Sequence, residues 1–345
     1  MDGTRLQLQQ PQTYTNSSLT THRRCARLFA LRYGLRMSPV NEGREALDVG
    51  SAWHDAHDAA AKGLDPYGAI DAKAPSSLWA HKLKRLFAAH GWYWREQRLD
   101  VVMSEWEFAF GLRSRSGRKA TIRGKVDAIV RSEDGRFGIL EYKTTSDAVD
   151  DESGYWRRLA INSQVGIYGL AFAACDLGKQ GIGMPSFIFY DATKKPTISP
   201  KKISAADLKR LASERTYFGE EVSDEQLEAA QLSGVETELM YAARLTSDIG
   251  DRPSYYFGRR EVSITREGFR ALEQDIMDQV EMIDFGFSAN MHPRNPDECS
   301  TFGTCDFLGL CSQHQFPQTG HAVPTGFEVR ERLHPELNEE KPQQP

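Results

Sequence analysis

The sequence predicts an α/β fold, with a mixed central sheet flanked by helices and followed by a helical C-terminal part. Three observations carry this expectation. Between Val101 and Lys143, three strand-like segments follow one another, separated by short turns rich in Ser, Gly and Asp. Segments with apolar residues at helical spacing stand before and after them. Three of the five cysteines crowd into the stretch from Cys299 to Cys311, beyond the last long helical segment, where they resemble metal ligands more than core residues. With 345 residues, 40% hydrophobic and 26% charged, the chain is long enough to bury a large core and has the profile of a soluble globular protein.

In chain order, a polar lead precedes a helix expected from Leu19 to about Gly34. A second helix runs from Leu47 to Lys62, with Val49, Trp53, Ala56 and Ala60 on one face. A third, aromatic and basic, runs from Ser77 to about Arg98. Val101 to Leu112 has near-alternating apolar residues and reads as a strand that ends in the turn Ser114-Arg115-Ser116-Gly117. Thr121 to Arg131 and Arg136 to Lys143 are two more strands, divided by Glu133-Asp134-Gly135. Helix returns from Tyr155 to Cys175, then a short apolar strand from Ser186 to Tyr190, then a loop marked by Pro196 and Pro200. Residues 201–250 are acidic and helical. Tyr255 to Ile264 reads as a strand, and Arg266 to Phe285 as a helix leading into the cysteines. From Thr319 onward Pro, Glu and Gln dominate, so 318–345 is expected to be a disordered tail.

Charge and cysteine usage narrow the function. The formal net charge of −5 excludes a uniformly basic DNA-coating protein but not an enzyme with a local basic groove. One such stretch exists, since no acid occurs from Leu19 through Asn41 while Arg23, Arg24, Arg27, Arg32 and Arg36 do. It reads either as an exposed helix face or as a phosphate-binding one. No apolar run is long enough to span a membrane, and Met1 to Gln12 lacks the apolar core of a signal peptide, so a cytoplasmic location is expected. An odd cysteine count argues against a disulfide framework.

The segment Ile122-Arg123-Gly124-Lys125-Val126-Asp127, a turn, and then Leu140-Glu141-Tyr142-Lys143 carries the chemistry. Neighbouring strands each deliver an acid, and Glu141 and Lys143, two apart on a strand, share a face. Hard oxygen ligands of this kind suit Mg²⁺ or Mn²⁺, and a lysine beside such a metal can orient water or stabilise charge on a phosphate. The competing reading is a surface salt bridge. His54 stands on the second helix, with His57 as a rival for the same role, and Gln164 and Tyr168 lie at i and i+4 on a later helix.

His54, Asp127, Glu141-Tyr142-Lys143 and Gln164-x-x-x-Tyr168, in that order, resemble the PD-(D/E)XK nucleases of the RecB type, a group with nuclease domains of helicase-nucleases, CRISPR adaptation nucleases and phage exonucleases. The opening Ser18-Leu19-Thr20-x3-Arg24-Cys25-Ala26-Arg27-Leu28-Phe29 is similar to that group's N-terminal cysteine motif, and Cys299, Cys305 and Cys311 to its C-terminal trio. The resemblance implies a restriction-endonuclease-like fold, a single domain over 1–317 with a helical part 13–98, a nuclease core 99–200, a helical elaboration 201–250 and a cluster-bearing part 251–317. It implies that His54, Asp127, Glu141 and the Tyr142 carbonyl bind the catalytic Mg²⁺ or Mn²⁺, that Lys143 is the catalytic lysine, and that Gln164 and Tyr168 orient the site or contact DNA. Glu105 or Glu107 resembles a supporting acid. Arg23, Arg24 and Arg27 would hold the DNA backbone, and Cys25 with the trio would hold a 4Fe-4S cluster.

Two departures from the family pattern stand out. The first gap of the trio is five residues where many relatives have two, which leaves structural Zn²⁺ as the alternative to the cluster, although zinc sites favour gaps of two to four. Glu141 stands where Asp is more frequent, and either carboxylate can bind a metal. No G-x-x-x-x-G-K-[ST] occurs, so any ATP-driven unwinding is expected from a separate helicase or recombination protein. The function implied is a metal-dependent deoxyribonuclease, an exonuclease on single-stranded DNA or DNA ends in recombination, repair or phage DNA processing. The alternatives are a non-catalytic DNA-end-binding module, a structure-specific endonuclease or an RNA-directed nuclease.

Overall fold

A computed structural model describes residues 5–40, 45–114, 116–263, 265–301, 303–334 and 337. The expected turn residue Arg115, the strand end at Ile264 and most of the tail beyond 334 lie outside the described residues. The chain runs β1 (Thr13–Tyr14), α1 (Asn16–Arg24), α2 (Ala26–Phe29) and a π turn (Ala30–Gly34), then β2 (Met37–Pro39), α3 (Glu45–Ala61), α4 (Pro66–Lys73) and α5 (Ser77–Tyr93). The strands β3 (Asp100–Arg113), β4 (Lys119–Arg131) and β5 (Phe137–Thr145) follow, with α6 (Gly154–Ala160), α7 (Ser163–Ala174) and β6 (Phe187–Lys194). Next come α8 (Ala205–Glu214), β7 (Thr216–Tyr217), β8 (Glu220–Glu221), α9 (Asp224–Ser233), α10 (Glu238–Asp251), α11 (Pro253–Tyr256), β9 (Phe257–Glu261), α12 (Arg266–Ser288), α13 (Leu308–Ser312) and β10 (Phe327–Val329).

The central sheet is mixed, in the order β1-β4-β5-β6-β9, with β3 pairing along the free side of β4. β3–β4, β4–β5 and β6–β9 are antiparallel, whereas β1–β4 and β5–β6 are parallel. Both faces are covered. Ile122, Val126, Ile129, Ile139 and Tyr190 pack against apolar residues of α6, α7 and α12 on one side. Ala128, Val130, Leu140 and Tyr142 pack against α3, α5 and α10 on the other. Among the described residues no helix is long and apolar enough to cross a membrane.

Four expectations are corrected. The helix from Leu19 breaks at Cys25, whose extended backbone redirects α2 so that the Arg27 amide reaches the Pro293 carbonyl at 3.2 Å. The helix from Tyr155 breaks at Asn162, whose side chain accepts a bond from the Gln164 amide and starts α7 on a new axis. The strand that apolar content ends at Tyr190 continues to Lys194, because the next residue, Asp191, finds buried partners. In the expected tail, β10 pairs antiparallel with β2, and Phe327 stacks on Phe307 with ring centroids 5.0 Å apart. Val323, Phe327 and Val329 are too sparse to register in composition, but they cover Leu6, Leu31 and Met37.

Helix α4, which periodicity misses, carries a clear start signal: Asp65 caps the Tyr67 and Gly68 amides and Pro66 holds the first helical position. The elaboration at 201–250 has a small core of its own, with Leu211, Tyr217, Leu227 and Met240, tied by Glu236, which accepts from Arg244 and from the Tyr217 hydroxyl at 2.6 Å.

Candidate active site

The site begins where two strands part. β4 and β5 pair from Arg131/Phe137 to Ala128/Leu140 and then diverge. The Tyr142 amide, released from the ladder, donates instead to Asp127 Oδ2 at 2.8 Å. Asp127 thus stands in the wedge between the strands, and His54 on α3 places its Nδ1 3.2 Å from the other carboxylate oxygen. Burial would raise the Asp127 pKa, but His54, Lys143 and the Tyr142 amide outweigh it and hold the group below its ordinary value. His54 is raised in turn, with Asp127 and Glu141 outweighing the burial that opposes its charge.

On the α7 side of β5 lies a closed hydrogen-bonded ring. Lys143 Nζ donates to Glu141 Oε1 at 2.6 Å and to Gln164 Oε1 at 2.8 Å. The Gln164 amide nitrogen donates to Glu141 Oε1 at 2.7 Å and to the Tyr168 hydroxyl at 2.8 Å, and that hydroxyl donates to Glu141 Oε2 at 3.0 Å. The i, i+4 spacing of Gln164 and Tyr168 therefore serves to grip one carboxylate. Glu141 is 1% exposed, and burial together with the Asp127 charge pushes its pKa up to about 7, even against Lys143. Two carboxylates thus stand close together, Asp127 paired with His54 and Glu141 with Lys143.

The structure separates the rival candidates. His54 faces Asp127, whereas the His57 ring stacks on the Tyr142 ring with centroids 3.7 Å apart. Glu105 falls opposite Asp127, between the pairs Ser104/Ala128 and Trp106/Val126, and meets Lys125; Glu107 stands two positions further, across from Lys125, and lies 3.8 Å from Arg123. Glu105 has a left-handed backbone (φ 53°) inside a strand, a local irregularity next to the site that sequence pattern does not reveal.

Sequence reading missed a second buried ionic group on the other face of the sheet. Asp191, fully buried, accepts two bonds from Arg259 and lies 3.0 Å from His90 Nε2. The only available signal was an acid directly after the apolar run Phe187 to Tyr190.

The arginines divide. Arg23 donates to Gln279, Thr20 and Ser163, the last being the residue before Gln164. Arg24 donates to the Glu298 carbonyl and Arg27 to the His292 carbonyl, both on the C-terminal segment. All five cysteines are free thiols. Cys25, Cys299, Cys305 and Cys311 line one cavity of about 130 Å³. Burial raises the Cys311 thiol, and Cys305, Cys25 and Cys299 add to that rise. Cys175 is apart from them, its thiol against the Ala109 carbonyl. Among the described residues, no three His, Cys, Asp or Glu side chains stand as a ready-formed metal-binding group.

Residues 13–312 match the family model of the PD-(D/E)XK nuclease superfamily. No curated protein matches the chain in sequence. Nineteen chains of solved structures match it. One is the crystal structure of SSO0001, 14% identical over 70% of this chain and 76% of that one, with a TM-score of 0.25, on which no argument rests.

Proposed function

The chain belongs to the PD-(D/E)XK nuclease superfamily, and on that premise we propose that it is a metal-dependent deoxyribonuclease that removes nucleotides from single-stranded DNA or DNA ends. The observation that carries the reading is the grip of Lys143, Gln164 and Tyr168 on Glu141 beside the Asp127–His54 pair. The donor types fit Mg²⁺ or Mn²⁺: the Asp127 and Glu141 carboxylates, the Tyr142 carbonyl and the His54 imidazole would hold the ion. A bound Mg²⁺ or Mn²⁺ would supply Lewis-acid activation of water and of the phosphate. Gln164 and Tyr168 hold Glu141 in one rotamer, so the carboxylate reaches the wedge pre-oriented. Lys143, held on Glu141 and Gln164, presents its ammonium to the attacking water and to charge developing on a phosphate oxygen. Arg23, on α1 and bonded to Ser163 at the start of α7, would hold the DNA backbone, and Arg24 and Arg27 would serve the junction of the N- and C-terminal segments. Phosphate contacts carry no base information, so no sequence preference is expected.

Cys25, Cys299, Cys305 and Cys311 would hold a 4Fe-4S cluster that staples the start of α2 to the C-terminal segment. What supports this is the shared cavity and the absence of disulfides. Iron, acid-labile sulfide and zinc measured on anaerobically purified protein decide it: four irons per chain are expected, and one zinc without iron overturns it.

The nuclease is tested on end-labelled single- and double-stranded DNA with Mn²⁺, Mg²⁺ or EDTA. Metal-dependent release of label in short products is expected. Intact protein that binds DNA but does not cut it with either metal would be a DNA-end-binding module instead.

A further inference from the structure

Beside the proposed metal wedge lies a charge ladder that the nuclease reading does not use. Arg123, Lys125 and Asp127 alternate along β4, and Glu105 and Glu107 alternate along the facing stretch of β3. Glu107 is directly across from Lys125, yet the Lys125 ammonium leans one step toward the wedge and pairs with Glu105, the residue opposite Asp127. Arg123 leans the same way, toward Glu107. Lys125 therefore has Glu105 in contact and Asp127 and Glu107 within Coulombic range. A small cavity lined by His54, Asp58, Ser104, Glu105 and Asp127 adjoins it. Two-metal phosphodiesterases place a second cation about 4 Å from the first, on acids that flank the shared carboxylate. Here that flank is already held by an ammonium.

We propose that Lys125 is a built-in substitute for a second metal ion, so that this site works with a single divalent cation. The inference rests on the reading of His54, Asp127 and Glu141 as metal ligands. Lys125 is a positioning residue: its fixed charge neutralises Glu105 and leaves Asp127 free to serve one ion. The Lys125 side chain is 30% exposed and Glu105 22%, so replacing the lysine opens the flank to solvent and to an ion.

The test is Mn²⁺ binding to the full chain without DNA, by equilibrium dialysis and electron paramagnetic resonance, which does not depend on turnover. Wild type is expected to bind one Mn²⁺ per chain at the site, lost in Asp127→Ala. Lys125→Met, which keeps the aliphatic stem, is expected to bind two ions close enough to couple magnetically, and Lys125→Arg to return to one. Circular dichroism confirms that each variant is folded, and Lys125→Gln replaces Lys125→Met if the latter is not. Two ions in wild type, or one in both neutral variants, overturn the inference while the single-site metal reading stands. No Mn²⁺ in wild type removes that reading and the inference with it.

Discussion

The same sheet carries two buried ionic clusters on opposite faces, and they are built to opposite ends. On the α5 side, Asp191 is matched by Arg259 and His90; burial alone would raise its pKa, but these partners hold it far below the ordinary carboxylate range. On the α7 side, Glu141 has a lysine and two neutral donors, yet burial and Asp127 push it up to about 7. The first cluster is complete in itself. The second pairs Asp127 with His54 and Glu141 with Lys143, and burial beside Asp127 still leaves Glu141 raised. A carboxylate held ionised marks structure here, and one pushed toward its neutral form marks the candidate site.

Removing one charge from each cluster gives the largest contrast. Asp127→Asn is expected to lower cleavage at least about 10³-fold, with thermal stability retained, because it removes a proposed metal ligand and relieves a like-charge contact. Asp191→Asn is expected to leave the Arg259 charge buried without an anion and to lower stability by about 3–5 kcal/mol, while the folded fraction keeps its turnover rate. Kinetics at low temperature alongside denaturant titration separate the two. A stable, inactive Asp191→Asn protein would place that residue in the reaction and dissolve the contrast.

The clusters should also respond to pH with opposite sign. Asp191 is depressed in the folded state, so its contribution is present above the unfolded pKa near 3.8 and is lost only in strong acid. Glu141 is an acid raised in the folded state. Below 4.5 both states hold its proton; between 4.5 and about 7 only the folded state does, so stability declines across that window and stays lower above it. In EDTA, Glu141→Gln is therefore expected to be more stable than wild type at pH 8 by about 3 kcal/mol and equal to it at pH 4. If Glu141 and His54 are the proposed ligands, apparent Mn²⁺ affinity should fall at least about tenfold per pH unit below 7 in wild type. A flat affinity from pH 5 to 8 would show that Glu141 is already ionised or is not a ligand.

Much of this was legible from local pattern, and the rest was not for identifiable reasons. Strands β3 to β5 sit within two residues of their alternating apolar runs, and the spacing of Asp127, Glu141 and Lys143 brought them to one place. His54 and His57 are i and i+3 on one helix, so helical geometry puts both on the same side, and only the Tyr142 ring, which occupies His57, tells them apart. Glu105 and Glu107 share a strand face, and the left-handed backbone of Glu105 beside Asp127 has no sequence mark. Asp191 looked like a strand end because its partners come from α5 and β9, 101 and 68 residues away. The pairing of β10 with β2 closes almost the whole chain, a contact no local window contains. Deleting 318–345 is accordingly expected to lower stability by about 2–4 kcal/mol through loss of Phe327 from its stack on Phe307, while a change within error in a melting experiment would return that segment to a passive tail.

The smallest expected effect probes the ring itself. Tyr168 donates one hydrogen bond to Glu141 and accepts one from Gln164, and its body is packed in the core against Phe108. Tyr168→Phe keeps that packing and removes one donor to the carboxylate, a loss of about 0.5–1.5 kcal/mol. Cleavage should fall about 2–10-fold, with KM for DNA unchanged. The donor favours the ionised form of Glu141, so its removal must raise that pKa, and the acid limb of the pH–rate profile should move to higher pH by less than about one unit. A rise in KM with the limb unmoved would mean that the hydroxyl meets DNA directly. The ring would then be part of the substrate surface, and the holding of Glu141 would fall to Gln164 and Lys143 alone.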